Sequence, residues 1–156
     1  MKEKIPPKDY WMLSILDVAE KQTEEKGVKG KLKMEKTSVL VRQELTRLGY
    51  ENWDLLRNFR GPTDPGLSRL LQSFHDLSIV ELEKIRDETI TYKITKKGKN
   101  IYNSIDSFYN KINPNFKKIK EEINGMLQRN IKKSGNELLE LEEIQDLKKK
   151  LLGKKL

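Results

Sequence analysis

Residues 65–99 read PGLSRLLQSFHDLSIVELEKIRDETITYKITKKGK, and the hydrophobic period changes twice along them. Leu67, Leu70, Leu71, Phe74 and Leu77 recur at helical spacing and define one apolar face of an amphipathic helix. Asp64 is placed to cap this helix, and Pro65 suits its first turn, where a missing N–H costs little. Val80 and Leu82 then alternate with Glu81 and Glu83, and Ile90, Tyr92 and Ile94 alternate with Thr91 and Lys93. A period of two predicts half-buried strands joined as a hairpin. A two-residue Asp87-Glu88 loop would set Tyr92 opposite Glu83 and bring charge into the core. Pairing Leu82 with Tyr92 and Val80 with Ile94 keeps apolar opposite apolar. A slip of one residue would turn every buried side chain outward, so this second register is the expected one, with Glu81 beside Lys93 on the wet face. Thr95-Lys96-Lys97-Gly98-Lys99 then opens another helix.

A helix, a hairpin and a Thr-Lys-Lys-Gly helix start resemble the second half of a winged-helix domain. The segment Leu67–Tyr102, through its runs LSRLLQSFHDLSIVELE and YKITKKGKNIY, is similar to regulators of the MarR and PadR type. The resemblance implies that the helix ahead of the hairpin enters the DNA major groove and that the hairpin is the wing. The expected fold class is mainly α with a small β-hairpin, a winged helix-turn-helix domain followed by C-terminal helices.

Upstream, Pro6-Pro7 end a short arm. A helix is expected over 8–26, capped by Asp9, with Trp11, Met12, Ile15, Leu16 and Ala19 as one stripe. Gly27-Val28-Lys29-Gly30 breaks it. A second helix over 32–48 turns Met34, Val39, Leu40, Val41, Leu45 and Leu48 mostly inward, and Gly49 stops it. The stretch Tyr50–Thr63 is longer than the turn usual in MarR-type domains. Trp53, Leu55, Leu56 and Phe59 predict a short helical turn there, and Gly61-Pro62 redirects the chain. The run NFRGPTDPGLSRLL resembles the helix entry of phage-associated proteins of the Panacea antitoxin type, which implies work through protein contacts.

Downstream, a helix over 96–112 carries the apolar edge Ile101, Ile105, Phe108 and Ile112. After Asn113-Pro114-Asn115, Phe116, Ile119, Ile123 and Met126 follow the alternating four-three spacing of a coiled-coil seam. Ser134-Gly135 breaks again, and one last helix carries Leu138, Leu141, Ile144, Leu147 and Leu151. Two units are therefore expected, a winged-helix domain over 8–112 and a helical arm over 113–156. Burying the seam against a distant core would also bury lysines, which is costly unless they are paired or reach water. The arm is therefore expected to make a homodimer through Ile112, Phe116, Ile119, Ile123, Met126 and the leucines and isoleucine of the last helix.

The composition narrows the chemistry. Charged residues, at 36%, match the hydrophobic 35%, so some helices must face water or a partner. The net charge of +8 favours a polyanion such as double-stranded DNA. The absence of cysteine excludes disulfides, thiolate chemistry and any His/Cys metal site. No apolar run is long enough for a membrane span, and MKEKIPPKDYW lacks the apolar core of a secretory signal, so a cytoplasmic chain is expected. His75 is the only histidine. Gly66-Leu67-Ser68 follows no strand and is no nucleophile elbow, and neither GxGxxG nor GxxxxGK[ST] occurs. No cofactor and no enzyme activity are expected.

Binding is better supported. Ser68, Arg69, Gln72, Ser73 and Asp76 lie on the outward face of the 65–77 helix. Arginine can bind guanine bidentately and glutamine adenine, while serine takes a base or a phosphate. Arg57 and Arg60 lie just ahead. Lys84, Arg86 and Lys93 flank the hairpin, and Lys96, Lys97 and Lys99 follow it. The acidic tip Asp87-Glu88 opposes a phosphate backbone. A further basic cluster, Lys117, Lys118, Lys120, Arg129, Lys132 and Lys133, shares its helix with Glu121 and Glu122. A dimeric DNA-binding regulator is the first expectation, and a protein-interaction module on the same scaffold is the other.

Overall fold

The computed structural model describes residues 4–50, 52–58, 61–84, 89–149 and 155, with the side chains of 57 and 58 left aside. Its helices are α1 (Lys8–Gln22), α2 (Lys31–Arg47), α3 (Leu67–Asp76), α4 (Lys96–Ile112), α5 (Phe116–Asn130), α6 (Gly135–Leu139) and α7 (Glu142–Lys148). Its strands are β1 (Val28–Lys29), β2 (Leu56–Asn58), β3 (Gly61–Thr63), β4 (Val80–Lys84) and β5 (Ile90–Ile94). The chain is mainly helical, with a small three-stranded antiparallel sheet in the order β1-β5-β4 and a separate pair β2-β3.

The β4–β5 register matches the hydrophobic pattern: Val80 faces Ile94, Glu81 faces Lys93 and Leu82 faces Tyr92. Tyr92 is buried, as are Leu71 and Phe74 of α3. The expected tip, Asp87-Glu88, lies outside the described residues. The sequence missed β1, which pairs Val28 with Tyr92 and Lys29 with Thr91. Two residues are too few to show a period. Gly27 marks the approach, because a Cβ there would lie 2.5 Å from the Tyr92 carbonyl oxygen. With strands on both sides, β5 buries Thr91 as well as Tyr92 and loses the simple alternation.

Four expectations are corrected. First, α1 ends at Gln22 rather than 26, its N-cap is Pro7 without a side-chain cap, and Asp9 lies in its first turn. The Thr23 hydroxyl donates to the Ala19 carbonyl and accepts from the Gly27 N–H, turning the chain. Nor is one stripe of α1 buried: every residue from Tyr10 to Ala19 is, because α2, α4, α5 and β5 surround it. Second, the stretch before α3 forms the β2–β3 pair, not a helical turn. Leu55 is fully buried at its entry, and Gly61, at φ 103°, takes a backbone conformation a helix cannot use. Phe59 lies outside the described residues.

Third, the last helix is two. Ser134 and Glu137 form a capping box that starts α6, and Leu141 is extended and starts α7. Leu138 and Ile144 are both fully buried. On one straight helix they would point about 120° apart, so the break lets both reach the core. Fourth, where an arm over 113–156 was expected, the described residues 113–149 are not separate from the rest of the fold. Phe116 and Ile123 are fully buried and Ile119 and Met126 nearly so, within one cluster that also holds Trp11, Leu16 and Val41. α5 packs on α1 and α2, and α6 and α7 pack on α2. The seam is thus filled inside one chain. Lysine burial did not prevent this, because Lys117 and Lys118 stay exposed and Lys120 is paired. Leu141 and Leu147 are half-buried, Ile112 is exposed, and Leu151 lies outside the described residues.

The end of α2 behaves as expected. Gly49 has φ 90°, and the Tyr50 N–H reaches the Leu45 carbonyl, the Schellman arrangement.

Candidate nucleic-acid interface

Helix α3 is clamped at both ends. At its start, Asp64 is buried. Its Oδ1 accepts from the Gly66 N–H at 3.0 Å and its Oδ2 from Lys8 Nζ at 2.9 Å, which ties α3 to the first turn of α1. Asp64 is therefore not the cap the sequence led one to expect: Gly66 is the N-cap, α3 has no side-chain cap, and Asp64, two residues earlier, closes an Asx turn into it. At its end, the Ile79 N–H reaches the Phe74 carbonyl and the Ser78 N–H reaches that of His75, a Schellman motif with Ser78 at φ 61°.

The start of α4 completes the second clamp. The Thr95 hydroxyl lies 2.7 Å from the Ser78 carbonyl and 2.9 Å from that of Ile79, and it accepts from the Gly98 N–H at 3.0 Å. Lys97 Nζ donates to the Leu77 carbonyl at 2.8 Å, at the electronegative end of α3. Gly98 is required here, because a Cβ would lie 2.2 Å from the Ile79 carbonyl oxygen. The Thr-Lys-Lys-Gly run is therefore a joint between α3, β4 and α4.

Between the clamps, Leu67, Leu71 and Phe74 are buried, and Ser68, Arg69, Gln72, Ser73 and Asp76 are exposed. Ser73 Oγ donates to the Arg69 carbonyl, and Gln72 Nε2 to Asp76 Oδ1. Of the other expected contacts, Lys84 and Lys96 are exposed at the edge of the hairpin and the start of α4. Lys93 is paired with Glu83 at 2.6 Å, not with the facing Glu81. Arg57 belongs to β2, opposite Pro62. Arg60 and Arg86, and the side chain of Arg57, lie outside what the structure describes. Ser68, Arg69, Gln72 and Ser73 thus lie on α3, Lys84 and Lys93 on the hairpin, and Lys96 and Lys97 at the joint. Asp76 of α3 and Glu81 and Glu83 of β4 are exposed on the same elements.

Comparison with known proteins returns no matching family, no matching curated protein and no matching solved structure.

Three polar links that hold this framework were not foreseen. Lys36 is fully buried and donates to the Pro62 carbonyl at 2.6 Å and to Glu35 at 2.9 Å, which fastens β3 to α2. Lys8 with Asp64 is the second. In the third, Lys120 Nζ donates to Asp106 Oδ1 and to the Tyr10 hydroxyl, both at 2.5 Å, and Tyr10 donates to Asp106 at 2.6 Å. The ammonium also sits over the Tyr102 ring, 4.6 Å from its centroid. Burial alone would raise the Asp106 pKa, but the hydrogen bonds from Lys120 and Tyr10 outweigh it and hold the carboxyl below its usual range. Burial, with Tyr102 and Asp106 nearby, pushes the Tyr10 phenol up. The partners are far apart in sequence, so no local spacing could signal them. Of the second basic cluster, Lys117, Lys118, Arg129 and Lys132 remain exposed. Among the described residues no helix is long and apolar enough to cross a membrane, and no group of acidic, histidine or cysteine side chains could hold a metal.

Proposed function

We propose that this chain binds double-stranded DNA through a winged-helix arrangement and acts in the cytoplasm as a homodimeric transcription regulator. The observation that carries the proposal is a helix fixed at both ends whose Ser68, Arg69, Gln72 and Ser73 face is left exposed. The element order α2, α3, β4, β5, α4 and the sheet order β1-β5-β4 support it. In this reading α3 enters the major groove, which is wide enough for a helix, and Arg69 and Gln72 meet base edges. Gln72 exchanges Asp76 for an adenine edge. Lys84 and Lys96 meet phosphates.

The test is anisotropy of labelled duplexes titrated with the protein at several salt concentrations. Affinity for random duplex should fall steeply as salt rises. Arg69→Ala should relax preference at one base pair by about 1–3 kcal/mol, whereas Lys96→Ala should weaken all sequences alike and flatten the salt slope. An equal loss on every sequence for Arg69→Ala would make it a phosphate contact. A second reading, a protein-docking module, is favoured by Asp76, Glu81 and Glu83, exposed on the same elements, and by the pairing of Lys93 with Glu83. Absence of salt-dependent DNA binding would select it.

A further inference from the structure

With the α5 seam filled from within, the exposed large apolar side chains among the described residues are Leu56 and Leu77, which stand singly on β2 and at the end of α3, and a pair on one edge of α4. Phe108 is 54% exposed and Ile112 48%, and Ile101 and Ile105 are half-buried along the same edge. Their four-three-four spacing is that of a helix-pairing seam. The surroundings differ from the rest of the chain. Asn100, Asn103, Ser104, Ser107 and Asn110 are exposed and uncharged. Between Asn100 and Ile112 the charges are Asp106 and Lys111, and Asp106 is engaged by Tyr10 and Lys120.

This neutrality selects the occupant. A second copy carries the same +8 and is repelled wherever lysines face it. The α4 edge is an apolar, nearly uncharged window, where two like-charged copies approach at least cost. An acidic partner would gain more on the lysine-bearing surfaces. We infer that the α4 edge is a self-association surface on which two copies of this chain pair about a two-fold axis, Phe108 of one meeting Ile112 of the other. Such a contact is isologous, with each residue used twice. One helix edge is at the small end of stable interfaces, so the dimer dissociates on dilution. The inference supplies the dimer named in the DNA-binding proposal but does not depend on DNA.

The 156-residue chain is weighed by light scattering across a concentration series without DNA. The expected mass rises from 18.3 kDa toward twice that value as concentration increases. Phe108→Glu with Ile112→Glu should hold the mass at 18.3 kDa, with an unchanged circular dichroism spectrum showing that the fold survives. The absence of cysteine gives a second measurement. Under mild oxidation a mixture of Phe108→Cys and Ile112→Cys chains should cross-link into dimers, because 108 of one copy faces 112 of the other, and Gln128→Cys, exposed on α5, should not. A monomer at every concentration, a dimer indifferent to the two glutamates, or cross-linking of Gln128→Cys equal to that of the mixture overturns the inference. A dimer that fails to bind DNA would leave it standing and sink the DNA-binding proposal alone.

Discussion

Gly98 and Ser78 sit on the same joint and respond to substitution in opposite directions. A methyl group at Gly98 would collide with backbone, not with a flexible side chain. Gly98→Ala should therefore destabilise by about 1–3 kcal/mol, read from the urea midpoint. Ser78 holds a left-handed conformation that costs most residues about 1–2 kcal/mol. Ser78→Gly should raise the midpoint, by an amount near the lower end of that cost. At the Tyr10–Asp106–Lys120 contact the sign follows from linkage. The native Asp106 pKa is depressed, so its contribution is complete above the ordinary value of 3.8 and is lost as pH falls through the native one. Tyr10 is raised, so its contribution is complete below the ordinary value of 10.0 and is lost at higher pH. Asp106→Asn should flatten the acid limb of a stability–pH curve, and Tyr10→Phe the alkaline limb.

Helix α3 depends on its buried face and on the threonine beneath it. Phe74→Ala should cost about 3–5 kcal/mol, and an unchanged melting curve would contradict its place in the core. Thr95→Ala removes the N-cap of α4 and the link to Ser78 and Ile79 together, so a loss of about 1–2 kcal/mol is expected, with Thr95→Ser milder. The same elements show why parts of the chain were readable. The β4–β5 register follows from Val80, Leu82, Tyr92 and Ile94, whose alternation admits one pairing that buries no charge. Helix α4 begins at Lys96 because Thr95 caps it by a purely local bond. By contrast, β1 is two residues held by a distant strand, and β2–β3 rests on Lys36 of another helix. The break between α6 and α7 answers to where Leu138 and Ile144 must go. The exposed face of α3 was readable from spacing alone. That Lys97 lies on a helix end and Lys93 on Glu83 was not, since both depend on the folded chain.

Across the whole chain, the C-terminal helices are part of the core. Phe116, Ile123, Leu127, Ile131, Leu138 and Ile144 are each fully buried. A chain stopped after Asn110 would strip α1 and α2 of this cover. It should lose its cooperative thermal transition, measured by circular dichroism, rather than become a folded monomer. The α5 seam suits a surface arm and a core helix equally. Its charged flanks are compatible with a surface helix, and they remain compatible with burial on one side when Lys117 and Lys118 point out and Lys120 finds a carboxylate.

The burial of α1 on every side has a consequence during synthesis. Tyr10 to Ala19 leave the ribosome well before Asp106, Phe116 and Lys120, which finish their surroundings and are made about a hundred residues later. At translation rates of roughly 5–20 residues per second, that interval is on the order of 5–20 seconds. For that time the nascent chain carries an almost wholly apolar segment whose cover is incomplete. Shielding by a chaperone or by provisional contacts with α2 is therefore expected until α5 emerges.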